Sequence, residues 1–183
     1  MVDIDLNLVR VFAIAAHAAV GQKRVTGEPY SDHPERVVAI LRSAGFNRDE
    51  DRPLLAAAFL HDVLEDTKVT KELIGQLFGA EVMGLVVALS DVYTKTAFPD
   101  LNRASRKELE HRRMGTESGV AQTAKSADVL DNARGLARYP DKKFALSYAL
   151  ELRDLMAQLT RADGKLLALA CEAVEAAITA LTA

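Results

Sequence analysis

Apolar side chains recur three and four positions apart along almost the whole chain, and no stretch alternates Val, Ile and Thr with turn dipeptides in the manner of a hairpin. The pattern predicts an all-α fold. A first helix is expected over about residues 5–20, with Leu6, Val9, Phe12, Ala13 and Ala16 on one face and Gly21 as its stop. Two glycines and a proline within residues 21–30 then break regular structure and leave a loop carrying Lys23 and Arg24. A second helix should begin near Pro34 and end at Gly45, because proline suits a first turn and glycine an exit. The third, about residues 52–65, is apolar on all sides over 54–60 and should be the buried centre. Shorter helices are expected over 70–78 and 80–90. Beyond a loop at Phe98-Pro99-Asp100, helical spacing returns over 103–114, weakens at Gly115 and Gly119, and resumes over 120–137. Two Ala/Leu-rich amphipathic helices, about 142–160 and 164–181, should complete the core, with Phe144, Leu146, Leu150, Leu155, Leu159 and Leu166 buried.

Composition narrows the class. Of 183 residues 49% are hydrophobic and 27% charged, which is a globular balance. Lys and Arg number 23 against 26 Asp and Glu, a net charge of −3, so the chain lacks the basic footprint of a dedicated nucleic-acid binder. A single cysteine, Cys171, can form neither an internal disulfide nor a cysteine metal cluster, which fits a reducing compartment. The acidic N-terminus shows no secretory signal, and the longest purely apolar stretch, residues 54–60, is too short to span a bilayer. These features predict a cytoplasmic, soluble protein with no membrane partner. One domain is expected over 1–183, its motif-bearing part at about 5–137 and its C-terminal helices, 141–182, filling the core. Such helices suit a homo-oligomer and a simple core equally.

The chemistry concentrates in His61-Asp62-Val63-Leu64-Glu65-Asp66-Thr67. Three acids and a histidine stand at the C-terminal end of an otherwise apolar helix, where the helix dipole and mutual repulsion both oppose negative charge. At helical spacing His61 and Glu65 share one face and Asp62 and Asp66 the next. A bound cation turns that repulsion into ligation. His33, at the Asp32-His33-Pro34 helix start, and Asp128, an acid among Ala127, Val129 and Leu130, are further candidate ligands. Two His and two Asp form a mixed nitrogen and oxygen set suited to Mn²⁺, Fe²⁺ or Zn²⁺.

The order His33, His61-Asp62, Asp128 resembles the H…HD…D signature of the HD-domain metal-dependent phosphohydrolases. A wider set is similar to the hydrolase domain of the Rel/SpoT-type alarmone enzymes. It comprises Ala16-His17, Gly21-Gln22, Arg24, Gly27-Glu28-Pro29-Tyr30, His33-Pro34, Phe59 to Thr67, Phe78-Gly79 and Lys125-Ser126-Ala127-Asp128. The resemblance implies a helical bundle of the HD-domain type and removal of the 3′-pyrophosphate from (p)ppGpp, giving GDP or GTP and pyrophosphate. It also implies Mn²⁺, or another divalent ion, held by His33, His61, Asp62 and Asp128, with Glu65 and Asp66 as the catalytic pair. Physics agrees, since a divalent ion makes hydroxide available near neutral pH and a carboxylate one turn away can take its proton.

A small polyanionic nucleotide needs further cations. Arg24 matches the family's substrate-contacting arginine, with Lys23 beside it; Asn132 matches an asparagine one turn after the metal aspartate, and Arg112 stands for the basic segment 103–113. That segment has as its alternative a solvated helix face. His17 is expected to support or pack rather than to bind metal, and His111 to be exposed. Three departures from the family pattern, Val25, Asp131 and Gly135, spare the ligands and the pair but bear on which nucleotide is taken. Hydrolysis of a different phosphorylated nucleotide, for example at the 2′-phosphate of NADPH, and a non-catalytic nucleotide-binding module are the competing readings. At 183 residues the chain is expected to correspond to a hydrolase domain alone, without synthetase or regulatory domains.

Overall fold

The computed structural model describes residues 4–25 and 27–183. Every regular element among them is helical, with one isolated β-bridge between Lys23 and Pro29. Packing divides the chain into two compact units, the first ending at Ser90 and the second running Asp91–Ala183.

In the first unit the Asp5 carboxylate accepts the Asn7 and Leu8 N–H groups and so starts α1 (Leu6–Ala19). The following helices are α2 (Asp32–Ser43), α3 (Arg52–Leu60), α4 (Val63–Asp66), α5 (Lys71–Phe78) and α6 (Ala80–Leu89). α3 packs against α1, α2 and α6, and all of its residues from Leu54 to Leu60 are buried, which is the outcome that an all-round apolar run predicts. Each large side chain taken from water there contributes about 1.5–3 kcal/mol. Gly79 closes α5 and opens α6 at φ +91°, a backbone angle that side-chain-bearing residues avoid.

Two expectations are corrected here. α2 starts at Asp32 rather than Pro34, because a proline anywhere in the first turn replaces an N–H that has no helical partner. The helix expected over 52–65 is two helices. His61 Nδ1 donates to the Ala58 carbonyl at 2.8 Å, capping the last turn of α3, and Asp62 then begins α4 by accepting the Asp66 N–H at its own carbonyl.

The second unit holds α7 (Arg103–Thr116), α8 (Gly119–Gly135), a 3-10 turn (Leu136–Arg138), α9 (Lys142–Met156) and α10 (Gly164–Thr182). α10 packs along both α8 and α9, and α9 against α7. Side chains of Asn102, Ser118, Asp141 and Asp163 cap α7, α8, α9 and α10 in turn. The weak pattern between Gly115 and Gly119 is a full break, held by Gln122. This wholly buried amide donates to the carbonyls of Met114, Gly115 and Glu117 and accepts the Arg161 N–H at 2.8 Å.

Leu155, Leu159 and Leu166 are buried as expected, but Phe144 is 42% exposed and Leu146 and Leu150 are half-buried. α9 instead turns Ala145, Ala149 and Leu152 inward. Phe144 lies between the rings of Tyr139 and Tyr148 with the Arg103 guanidinium 5.7 Å above it, an arrangement that satisfies an exposed ring.

Candidate metal centre and carboxylate pair

His33, in the first turn of α2, and His61, at the end of α3, are both buried and present Nε2 atoms 3.2 Å apart. Asp62 Oδ2 lies 2.9 Å from His61 Nε2 and 3.9 Å from His33 Nε2. The three form the candidate metal-binding group of the described residues. With ligand bonds of about 2.0–2.2 Å, neighbouring ligands of one ion stand roughly 3 Å apart, so the spacing fits. A carbonyl only accepts, so the His61 bond to Ala58 puts the proton on Nδ1 and directs the neutral ring's lone pair at Nε2 into the group. The Tyr30 hydroxyl donates to Asp62 Oδ2 and holds that carboxylate from the loop side.

Glu65 and Asp66 occupy the solvent-exposed side of α4. The Asp66 carboxyl is partly withdrawn from water, and this desolvation raises its pKa against a hydrogen bond from Gln22 that lowers it; the nearby Asp62 charge adds to the rise. Gln22 Nε2 donates to Asp66 Oδ2 at 2.7 Å, while His17 Nδ1 and Gln22 Oε1 lie 2.6 Å apart. The His17 ring in turn packs on Tyr30, centroids 4.7 Å apart. On the same loop Arg24 is half-buried and Lys23 exposed, in a hairpin closed by Arg24 N–H donating to the Glu28 carbonyl.

Asp128 and Asn132 belong to the second unit, on α8. Asp128 is buried, accepts Lys125 Nζ at 2.8 Å on one oxygen and Asn132 Nδ2 at 2.6 Å on the other. Asp131 is buried one residue before Asn132. The basic run on α7 is paired within the unit: Arg103 with Glu151, Lys107 with Asp91, Arg112 with Glu108, and Arg113 with Glu110 and Glu117. Arg112 faces solvent, whereas Arg113 is largely enclosed. His111, expected to be exposed, is half-buried, and burial pushes its imidazole pKa down.

A family profile described as HD domain matches residues 10–166. The chain belongs to the HD domain family. A Synechocystis protein named "Probable guanosine-3′,5′-bis(diphosphate) 3′-pyrophosphohydrolase" is 33% identical over 159 residues, covering 86% of this chain and 20% of the relative. The Escherichia coli K12 "Bifunctional (p)ppGpp synthase/hydrolase SpoT" is 36% identical over 139 residues, 75% of this chain and 19% of the relative. The chain therefore spans about a fifth of the length of these curated relatives. A solved structure described as a metazoan ortholog of SpoT that hydrolyzes ppGpp has a TM-score of 0.81 and 28% identity, covering 93% of this chain and 94% of that one. No described helix is long and apolar enough to cross a membrane.

Two residues of this HD domain whose roles spacing alone does not reveal are Gln22 and Tyr30. Both stand in the quoted motif, but only the fold brings them to Asp66 and Asp62. Glu110 is likewise hidden among basic neighbours, since nothing in the sequence separates it from Glu108, which pairs with Arg112 at the surface.

Proposed function

We propose that the chain is a divalent-metal-dependent hydrolase that removes the 3′-pyrophosphate of (p)ppGpp, yielding GDP or GTP and pyrophosphate. The observation that carries the reading is the convergence of His33 Nε2, His61 Nε2 and Asp62 Oδ2 within 4.8 Å, one helical turn before Glu65 and Asp66. The names of the relatives support the substrate. A bound Mn²⁺ would polarise phosphate oxygens and lower the pKa of a water. His33, His61 and Asp62 would hold the ion, with Asp128 as the further ligand that the family pattern assigns. Glu65 and Asp66 orient the attacking water and accept its proton, and the bond between the 3′-oxygen and the pyrophosphate breaks. Arg24 and Lys23 bind purine or phosphate, with Asn132 and Arg112 as further contacts. On this reading residues 1–183 act as one hydrolase domain in the cytoplasm, with a small nucleotide as partner.

A second reading keeps the chemistry and changes the nucleotide. Its motivation is Val25, 61% exposed where the family carries a second basic residue, and the buried acid Asp131 on the helix of Asp128. Purified protein with Mn²⁺ and a panel of ppGpp, pppGpp and NADPH separates the two. Pyrophosphate released preferentially from ppGpp supports the first reading. Orthophosphate released from NADPH with ppGpp intact replaces it by the second, and no release from any nucleotide at enzyme excess removes both.

A further inference from the structure

Asp66 is the last residue of a helix only one turn long, so its backbone alone does little to fix where its carboxylate points. The contact that does so comes from 44 positions away, where the Gln22 amide donates to Oδ2 at 2.7 Å. A carboxylate accepts and does not donate, so Gln22 must face it with Nε2 and turn Oε1 the other way. Oε1 meets His17 Nδ1 at 2.6 Å, and an amide oxygen only accepts, so the proton of the neutral ring is on Nδ1. The rest of the ring agrees. His17 is 2% exposed, and its Nε2 has no hydrogen-bond partner among the described residues, a surrounding that suits a lone pair and opposes an N–H.

His17 also braces the other side of the site. Its ring packs against Tyr30, 4.7 Å between centroids, and Tyr30 donates its hydroxyl to Asp62 Oδ2. One buried side chain at the end of α1 therefore sets both a ligand carboxylate and a water-handling carboxylate, through two different arms. We propose that Gln22 is a positioning residue for Asp66, and that His17 holds the Gln22 amide in the one orientation that can do this. The proposal rests on the hydrolase reading only for its catalytic consequence; the hydrogen-bond relay stands apart from it.

The test uses the full chain with Mn²⁺ and ppGpp. Gln22→Ala should lower kcat by about tenfold or more, the scale of losing an orienting partner, with KM and Mn²⁺ affinity by calorimetry within about twofold. His17→Leu should reproduce that loss, whereas His17→Asn, of similar size but with an N–H donor, should recover most of it. In an Asp66→Ala background Gln22→Ala should cost nothing more, since its target is gone. Long-range proton–nitrogen NMR should report the neutral Nδ1–H form of His17 in the wild type and a perturbed ring signal in Asp66→Ala. A Gln22→Ala effect confined to KM or metal affinity, full additivity with Asp66→Ala, or a His17 protonated at Nε2 each overturns the proposal. Should the wild type leave ppGpp intact, the hydrolase reading fails, and the NMR result alone then decides whether the relay exists.

Discussion

His33 and His61, 28 positions apart in sequence, aim their Nε2 atoms at each other across 3.2 Å in a buried environment. The Ala58 carbonyl takes the other nitrogen of His61, so at least one lone pair points into the space shared with Asp62 Oδ2. Two imidazole nitrogens and a carboxylate oxygen brought that close offer a ready set of donors to a cation.

Mn²⁺ should therefore stabilise the folded state. At an ion concentration a hundredfold above Kd the gain is about 2.7 kcal/mol, and Asp62→Ala should abolish most of it. Thermal melts of chelator-treated protein with and without Mn²⁺ check this. An Mn²⁺-induced rise in Tm of equal size in wild type and Asp62→Ala would place the ion elsewhere.

Glu110 is 6% exposed and carries three separate duties: it accepts the Val92 N–H at 2.9 Å and the Tyr93 N–H at 3.1 Å, and pairs with Arg113. Glu110→Ala leaves two backbone donors without their acceptor and removes one of the carboxylates that face Arg113, so we expect a loss of about 3 kcal/mol in urea unfolding. A loss under about 0.5 kcal/mol, the range of an ordinary surface change, would mean the network contributes little.

Alanine is a better helix former than glycine, yet Gly119→Ala should destabilise. A Cβ there would stand 2.7 Å from the Arg161 carbonyl oxygen, and the segment it would push away is docked through Arg161 N–H to Gln122 and Asp163 N–H to Thr123. The expected cost is about 1–3 kcal/mol, the scale of overpacking. A variant as stable as the wild type would show that the α8 start can shift without penalty.

Asp91 gives a pH dependence with a definite sign. Burial alone would raise its pKa, but Lys107 at 2.7 Å and the charge of Lys125 together hold it below the usual carboxylate range. A carboxylate depressed in the folded state stabilises above its unfolded pKa and loses that contribution as pH falls through the folded value. Asp91→Asn should thus cost roughly 1 kcal/mol at pH 7, and the gap from wild type should close as pH drops below about 4. Denaturant unfolding at both ends of that window is the check; an unchanged gap under acid conditions would assign the difference to packing.

Where side-chain chemistry acts on neighbours within a turn or two, the sequence was readable. The all-helical fold, the glycine stops at Gly21 and Gly45 and the burial of residues 54–60 follow from periodicity and local backbone preference. His33, His61 and Asp62 stand out in the sequence as candidate ligands, His61 and Asp62 because polar groups at the end of an apolar helix are costly unless something binds them, and His33 through the family pattern. The pattern misled where two local solutions are nearly equal. The helix over 52–65 looked continuous because nothing in its apolar spacing shows that His61 will bond back to Ala58. Phe144 looked buried because hydrophobicity does not say that Ala145 and Ala149 give closer packing along α9.

By itself, then, the sequence determined the class of the fold, the ligand-type residues and the family pattern they belong to. Only the tertiary structure decided how those residues are held: Gln22 on Asp66, Tyr30 on Asp62, and the pairing of nearly every cation on α7 with an acid of its own unit. The reason is physical. Helix formation and capping are settled by interactions over a few residues, whereas the direction of a polar side chain is set by partners tens of positions away, which exist only after the helices have packed.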